Sequence, residues 1–396
     1  MRSRRIRRIL VGAAVASALL VAFVAGAGGF TSWTVVASPS PNVYGNIFNA
    51  VSARTASDVW AVGVGGSASN NATYAARWNG TSWTTYATPN PVPHCLDGNF
   101  QWTGNRLNDV VAISGSNAWA VGNGCYESKT LVEHWDGTKW SIVASPNPTA
   151  GVNALSSVAA ISASNVWAVG WHTSNGAYQT LVEHWDGTAW SVVSSPNPNP
   201  TSNVLAAVAA SSASDVWAVG YSGLSSTLIE HWNGTSWSVI ASPALPGSVL
   251  SGVTAISPTD AWAVGSQTGA SGGTLTLVLH WDGQTWSVVS SPNPDTTYSA
   301  ANVLRGITAI SANDVWAVGM YENESTDYHQ HRTLTLHWDG GAWSLVSSPS
   351  PGESGELNDV SALARGGIWA TGLFSNYEID IYDGHYTLPQ TLVLRG

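Results

Sequence analysis

Asp109 and Asp359 stand in near-identical settings, RLNDV (Arg106 to Val110) and ELNDV (Glu356 to Val360), at a position where related segments of the chain carry a small residue. Each setting opens on a charge, Arg106 or Glu356, and the matching segment Leu304-Arg305-Gly306 adds another arginine. Two carboxylates converging on one pocket are what glycosidic cleavage requires. The same carboxylates bridged to arginines would only pin neighbouring elements together. No substrate-orienting constellation accompanies the pair, which favours the bridging role. Arg106, Asp109, Arg305, Glu356 and Asp359 are therefore the candidate binding residues, and no catalytic residue is assigned.

His329-Gln330-His331 is a weaker candidate. A His-x-His pair on a strand points both rings the same way, and Glu322, Glu324 and Asp327 are near in sequence. No third ligand is clearly placed, which favours a solvated polar loop, so neither a metal nor another cofactor is expected. Cys95 and Cys125 are the only cysteines. In an exported chain they are expected to form a disulfide. HExxH does not occur, and the arginines after residue 27 are scattered, unlike the cluster a sialidase needs for its substrate carboxylate.

The elements that must position these residues are repeats. The tryptophan of a VWAVG-like segment recurs at Trp60, Trp119, Trp167, Trp217, Trp262, Trp316 and Trp369, at intervals of 45 to 59 residues. Such a period marks a repeat architecture rather than separate domains. Each copy reads as four strands; in the third they are SSVAAIS, NVWAVG, TLVEHW and AWSVVSS. Asp-Gly or Asn-Gly separates the last two strands, for example Asp136-Gly137 and Asp186-Gly187, and predicts a type I′ hairpin. Ser-Pro-x-Pro closes the fourth strand in most copies, which makes it the edge of its sheet. Small residues on the first strand (Ala50, Ser157, Ala207, Gly252, Gly306) suit the convergence of sheets on an axis. Seven four-stranded sheets arranged radially are an all-β, seven-bladed β-propeller. Ser32-Trp33-Thr34-Val35-Val36 reads as a fourth strand with no blade before it, and Thr391 to Leu394 as a third strand with no fourth after it, so the N-terminal strand should complete the last blade.

Of the 22 tryptophans, 20 fall on three repeat positions and read as core. The histidines before the third-strand tryptophan (His134, His184, His231, His280, His337) read as structural for the same reason. Loop length varies on one face only, including Val64 to Tyr74, Asn90 to Arg106, Tyr321 to Arg332 and Phe374 to Gln390. Variable loops on a rigid scaffold are where function is usually placed.

The pattern VWAVG, a variable loop, then LVEHWDGTxW resembles the repeat of kelch or galactose-oxidase-type propellers, in which a strand ending in glycine is followed by an aromatic-Asp turn and a tryptophan. The resemblance covers essentially all of residues 28–396 and implies the propeller fold. It carries over no catalytic residue.

Five arginines, an apolar run from Ile9 to Val24 and Ala25-Gly26-Ala27 give residues 1–27 the form of a secretory signal. The alternative is an uncleaved membrane anchor. Removing the segment takes five of the 14 basic residues and none of the 24 acidic ones, leaving a charge of −15. That argues against a nucleic-acid or anionic-membrane partner, and leaves a membrane association only through an uncleaved N-terminal segment. The expectation is a secreted monomer acting as a non-catalytic binding module for an extracellular or cell-surface partner, protein or carbohydrate. Competing readings are a polysaccharide-acting hydrolase or lyase at the channel mouth, and a purely structural surface protein.

Overall fold

The computed structural model describes residues 32–42, 45–67, 70–91, 104–124, 129–224, 226–245, 247–298, 301–323, 330–364, 366–376 and 388–396. The signal segment, Cys95, Cys125 and His329 lie outside them. Among the described residues the strands form seven four-stranded antiparallel sheets and no helix. The chain is a seven-bladed β-propeller. In the first blade the order from the axis outward is Asn46–Thr55, Asp58–Ser67, Asn70–Trp78 and Trp83–Tyr86. The next five blades repeat that order. In the seventh, Ser354–Ala362, Ile368–Ser375 and Gln390–Arg395 are completed by Thr34–Val35, so the N-terminal strand closes the ring as the sequence leads one to expect.

Every inner strand carries a β-bulge at the same place, between its buried Leu or Phe and the small-residue position, for example Leu107/Asp109 and Leu357/Asp359. The extra residue turns toward the neighbouring blade. Asn49, Asn108 and Asn358 each donate from Nδ2 to a main-chain carbonyl of the next inner strand, at 2.7, 2.7 and 2.9 Å. The bulge also presses the inner strand against the second strand. A Cβ on Gly63 would lie 2.0 Å from the Ile47 carbonyl oxygen, and one on Gly319 1.9 Å from that of Val303. The final glycine of each VWAVG is therefore a steric requirement of close backbone approach.

Tryptophans fill the widening seams between blades. Each second-strand tryptophan is at most 2% exposed. Each meets the outer-strand tryptophan of the following blade edge-on, as in Trp60–Trp140 (ring centroids 5.0 Å apart) and Trp217–Trp286 (5.2 Å). Such pairs add roughly 0.5–1.5 kcal/mol to what burial alone supplies. The repeated histidines lie over the same indoles, His134 on Trp119 at 4.3 Å and His280 on Trp262 at 4.1 Å. Their Nε2 atoms bond the turn residue between the first two strands: Asn117, Asn165, Asp215, Asp260 and Asp314 in successive blades.

The outer hairpin departs from the type I′ expectation. Trp135 pairs with Trp140, leaving a four-residue loop, and only its glycine takes positive φ (Gly137, φ 97°). Asp136 Oδ1 accepts bonds from the main-chain N–H of Thr138 and Lys139, at 2.8 and 2.9 Å, and from the Thr138 hydroxyl. Side-chain acceptance locks the turn without forcing the aspartate into the left-handed region. An Asn-Gly turn with both residues at positive φ does occur, at Asn175-Gly176 (φ 50° and 80°), on the variable-loop face.

Candidate functional site at the channel rim

Each inner strand starts on the variable-loop face, so the bulge and the residues just before it line the rim of the channel. Asp109 and Asp359 occupy equivalent places beyond the bulge, in the second and seventh blades, and both are partly buried. Asp109 Oδ2 accepts the Ser157 hydroxyl at 2.7 Å and the Val158 N–H at 2.8 Å, both from the third blade. Its Oδ1 accepts the Val110 N–H at 2.7 Å. Asp359 Oδ2 accepts the Val51 N–H of the first blade at 2.9 Å. Both aspartates thus tie their blade to the next through main-chain amides, where the sequence suggested arginine bridges. The inner strand curves away at the bulge and leaves amides that the carboxylates satisfy.

Burial pushes both carboxyls above the ordinary range. Asp109 is partly restrained by its three donors. Asp359 is raised further because it also feels the charge of Asp109. The two carboxylates therefore interact across the rim, with the first blade between them.

Arg305 and Glu356 form the ion pair that the sequence led one to seek, Nη1 to Oε2 at 2.6 Å, across the seam between the sixth and seventh blades. Arg305 Nη1 also donates to Asn358 Oδ1 at 2.6 Å. His331, in the sixth blade's third strand (Gln330–Trp338), places Nδ1 on Glu356 Oε1. Burial alone would raise Glu356, but the bond from His331 and the Arg305 charge outweigh it and hold the carboxyl below its usual value. The Glu356 bond raises His331 against the opposing effect of burial, and the Glu322 charge adds to the rise. Arg106 opens the second blade's inner strand opposite Asn123 and is partly buried. The five expected residues thus fall into separate parts of the rim rather than one continuous ring: the aspartates at the bulge, and Arg305 with Glu356 at one seam.

Asn358 and His331 complete the cluster. Asn358 was legible in the shared Leu-Asn-Asp-Val of both aspartate segments, where an amide stands beside each carboxylate. His331 was weighed above as a metal ligand, and its bond goes to Glu356. Among the described residues no group of three or more His, Cys, Asp or Glu side chains is arranged to hold a metal ion.

The fold and rim define a closed seven-bladed propeller with a polar, partly buried cluster on its variable-loop face. No family model and no curated protein sequence matches the chain. Solved structures similar to it include two that the match covers over seven-tenths or more of their length. One is YCF48 bound to a D1 peptide, with a TM-score of 0.56 and 14% identity, covering 92% of this chain and 95% of that one. The other is a polysaccharide lyase of the PL25 family, an ulvan lyase bound to -[GlcA(1-4)Rha3S]-, with a TM-score of 0.56 and 10% identity over 87% and 92% of the two chains. At these identities the likeness bears on fold alone.

Proposed function

We propose that this chain is an exported, kelch-like binding propeller that takes an extracellular or cell-surface partner, protein or glycan, at the channel rim without transforming it. The observation that carries the reading is Glu356, which holds Arg305 from one side and His331 from the other. It keeps a guanidinium and an imidazole in place while 31% and 33% of those side chains remain exposed. Donors fixed before a partner arrives lose little freedom on binding. The form of residues 1–27 supports export, and the repeat pattern supports the kelch-like assignment. One structurally similar propeller holds a peptide and another a sugar-acid unit, which supports a partner of either class.

The test is to screen the chain against glycan and peptide arrays, then repeat any hit with Arg305→Ala and Glu356→Ala. Binding lost at an unchanged melting temperature is the expected result. Hits that both variants retain would remove the rim from the reading.

A second reading, a hydrolase or lyase acting on polysaccharide, draws on the aspartate pair. A carboxyl held protonated by burial and by a neighbouring carboxylate is the arrangement from which an acid and a base arise in one site. Release of new reducing ends or unsaturated products from a polysaccharide panel, abolished by Asp359→Asn, would establish it. The hydrogen bonds that both aspartates already accept from neighbouring blades favour the binding reading.

A further inference from the structure

The opposite face, built from the first-to-second and third-to-fourth turns, is uniform over the second to sixth blades and departs from that pattern in the seventh, where Arg395 lies over Trp369 at 5.4 Å, and in the first. In the first, the repeated histidine is replaced by Arg77, and an inner-strand position that is Ile113, Ile161, Ser211, Ile256 or Ile310 in the next five blades is Arg54. Asp58, 4% exposed, accepts Arg77 Nε on Oδ1 and Arg54 Nε on Oδ2, both at 2.7 Å. Burial alone would raise the Asp58 carboxyl, but the two guanidinium groups outweigh it and keep it ionised.

Only one of these arginines is needed to close the turn. Arg77 does what histidine does elsewhere: its guanidinium lies over Trp60 at 5.2 Å, and its Nη2 also reaches the Gly115 carbonyl at 3.1 Å. In the fourth blade, where His231 takes the same place, the second oxygen of Asp215 is satisfied by the Ser211 hydroxyl without adding a charge. Arg54 is therefore a surplus cation, in a chain whose formal net charge is −10.

The surplus charge faces a cavity of about 290 Å3, walled by Arg54, Ser57, Asp58, Arg77, Trp78, Asn79, Thr84 and Tyr86, in which the two guanidinium groups outnumber the one carboxylate. The Nε bonds to Asp58 fix both guanidinium groups, and among the described residues the terminal amino groups of Arg54 have no hydrogen-bond partner. A methyl built on Gly115 would stand 3.6 Å from Arg77 Nη2 and 3.8 Å from Arg54 Nη2, so the two amino ends converge on one point. The equivalent turn position is Ala56, Ala163, Ala213, Pro258 or Ala312 in other blades. A methyl at 115 would be in ordinary contact with both amino ends, and glycine leaves them uncovered.

We propose that Arg54 and Arg77 form an anion site on this face that receives the carboxylate of a sugar acid. Guanidinium groups fixed in orientation suit a planar carboxylate. The Tyr86 ring, with Asn79 and Thr84 beside it, offers an apolar surface and hydroxyl-pairing groups to a pyranose ring. The cavity lies near the lower end of the range for ligand sites, which fits one sugar residue rather than an oligomer. The site is independent of the rim, and its failure would leave the rim reading untouched.

The experiment titrates the folded chain with D-glucuronate, D-glucose, acetate and a tetraglutamate peptide, by calorimetry or chemical-shift change. Glucuronate should bind at least about tenfold more tightly than glucose or acetate, because ring and carboxylate are both recognised. Arg54→Ser reproduces the fourth blade's arrangement and should abolish that preference while the melting temperature stays within about 2 °C. Glucuronate binding no tighter than glucose, or indifferent to Arg54→Ser, would overturn the proposal. Acetate binding as well as glucuronate would refute recognition of the sugar, and tighter binding of tetraglutamate would assign the pocket to acidic peptides instead.

Discussion

Trp33 and Trp316 meet edge-on with ring centroids 5.8 Å apart and planes at 89°. The same contact recurs at other seams, including Trp369–Trp83 at 5.7 Å and 87°, so an indole from the start of the chain performs in the last blade what Trp83 performs in the first. The ring is closed by packing as well as by the Val36 N–H to Val393 carbonyl bond at 2.9 Å. Trp33→Ala should cost about 3–5 kcal/mol, the range for truncating a buried tryptophan. Removing residues 32–40 should cost more and promote aggregation, since it bares the edge of Gln390–Arg395. Thermal melts with light scattering decide it, and an unchanged melting temperature after the deletion would refute closure by this strand.

Most of the fold was legible because a propeller repeats its sequence wherever it repeats its geometry. The tryptophan period sets the blade count, and the unmatched strands at either end point to ring closure. What local pattern could not convey was contact with the next blade. Asp109 and Asp359 read as partners for arginine because their real partners, the Val158 and Val51 amides, are main-chain groups that no sequence pattern marks. The Asp-Gly hairpin misled for a related reason: Asp136 accepts three bonds from its own loop and so never needs positive φ. TLVEHW alternates as a half-exposed strand would, yet both faces of a blade are covered, so its glutamate is carried into the core.

That glutamate leads to the second prediction. Glu133, Glu183 and Glu230 are fully buried, with no hydrogen-bond partner for either carboxyl oxygen, and burial pushes each pKa up to about 8. Leu279 and Leu336 hold the same repeat position in the fifth and sixth blades. Unfolded, these carboxyls ionise near the ordinary glutamate value of 4.5; folded, they stay protonated up to about 8. Stability is greatest below the lower value and falls as pH rises toward the higher one, by up to about 1.4 kcal/mol per pH unit for each group. Glu183→Leu should therefore raise the urea midpoint at pH 8 and flatten its decline between pH 5 and 8. A wild-type midpoint constant across that window would contradict the burial of protonated carboxyls.

The His331–Glu356 contact supplies a third. Glu356 raises the imidazole pKa, so the contribution of this pair to stability is fully present below the unfolded histidine value and is lost as pH rises through the folded one. Partial exposure limits that contribution to about 1 kcal/mol or less. Glu356→Gln should bring the His331 titration, followed by imidazole proton shifts, to a lower pKa with little change in melting temperature. A titration unmoved by the substitution would mean that the two side chains do not meet in solution.

The aspartates make the last prediction, because their similar settings conceal different bonding. Asp109→Ala strips the Ser157 hydroxyl and the Val158 amide of their acceptor, each loss costing about 1–3 kcal/mol, and should be strongly destabilising. Asp359→Asn should behave otherwise. An amide oxygen can still accept the Val51 N–H, and a neutral group replaces a carboxyl whose ionisation is opposed by burial and by the Asp109 charge. Because its folded pKa is raised, wild-type Asp359 contributes most below its unfolded value and progressively less as pH rises toward the folded one. Asp359→Asn should thus be nearly neutral at pH 5 and stabilising at pH 8, and should leave the pKa of Asp109, which ionises while Asp359 is still protonated, little changed. Denaturant midpoints for both variants at the two pH values, with carboxyl carbon shifts for Asp109, test the pair. Equal losses from both substitutions at both pH values would show that the charge interaction between Asp109 and Asp359 is absent.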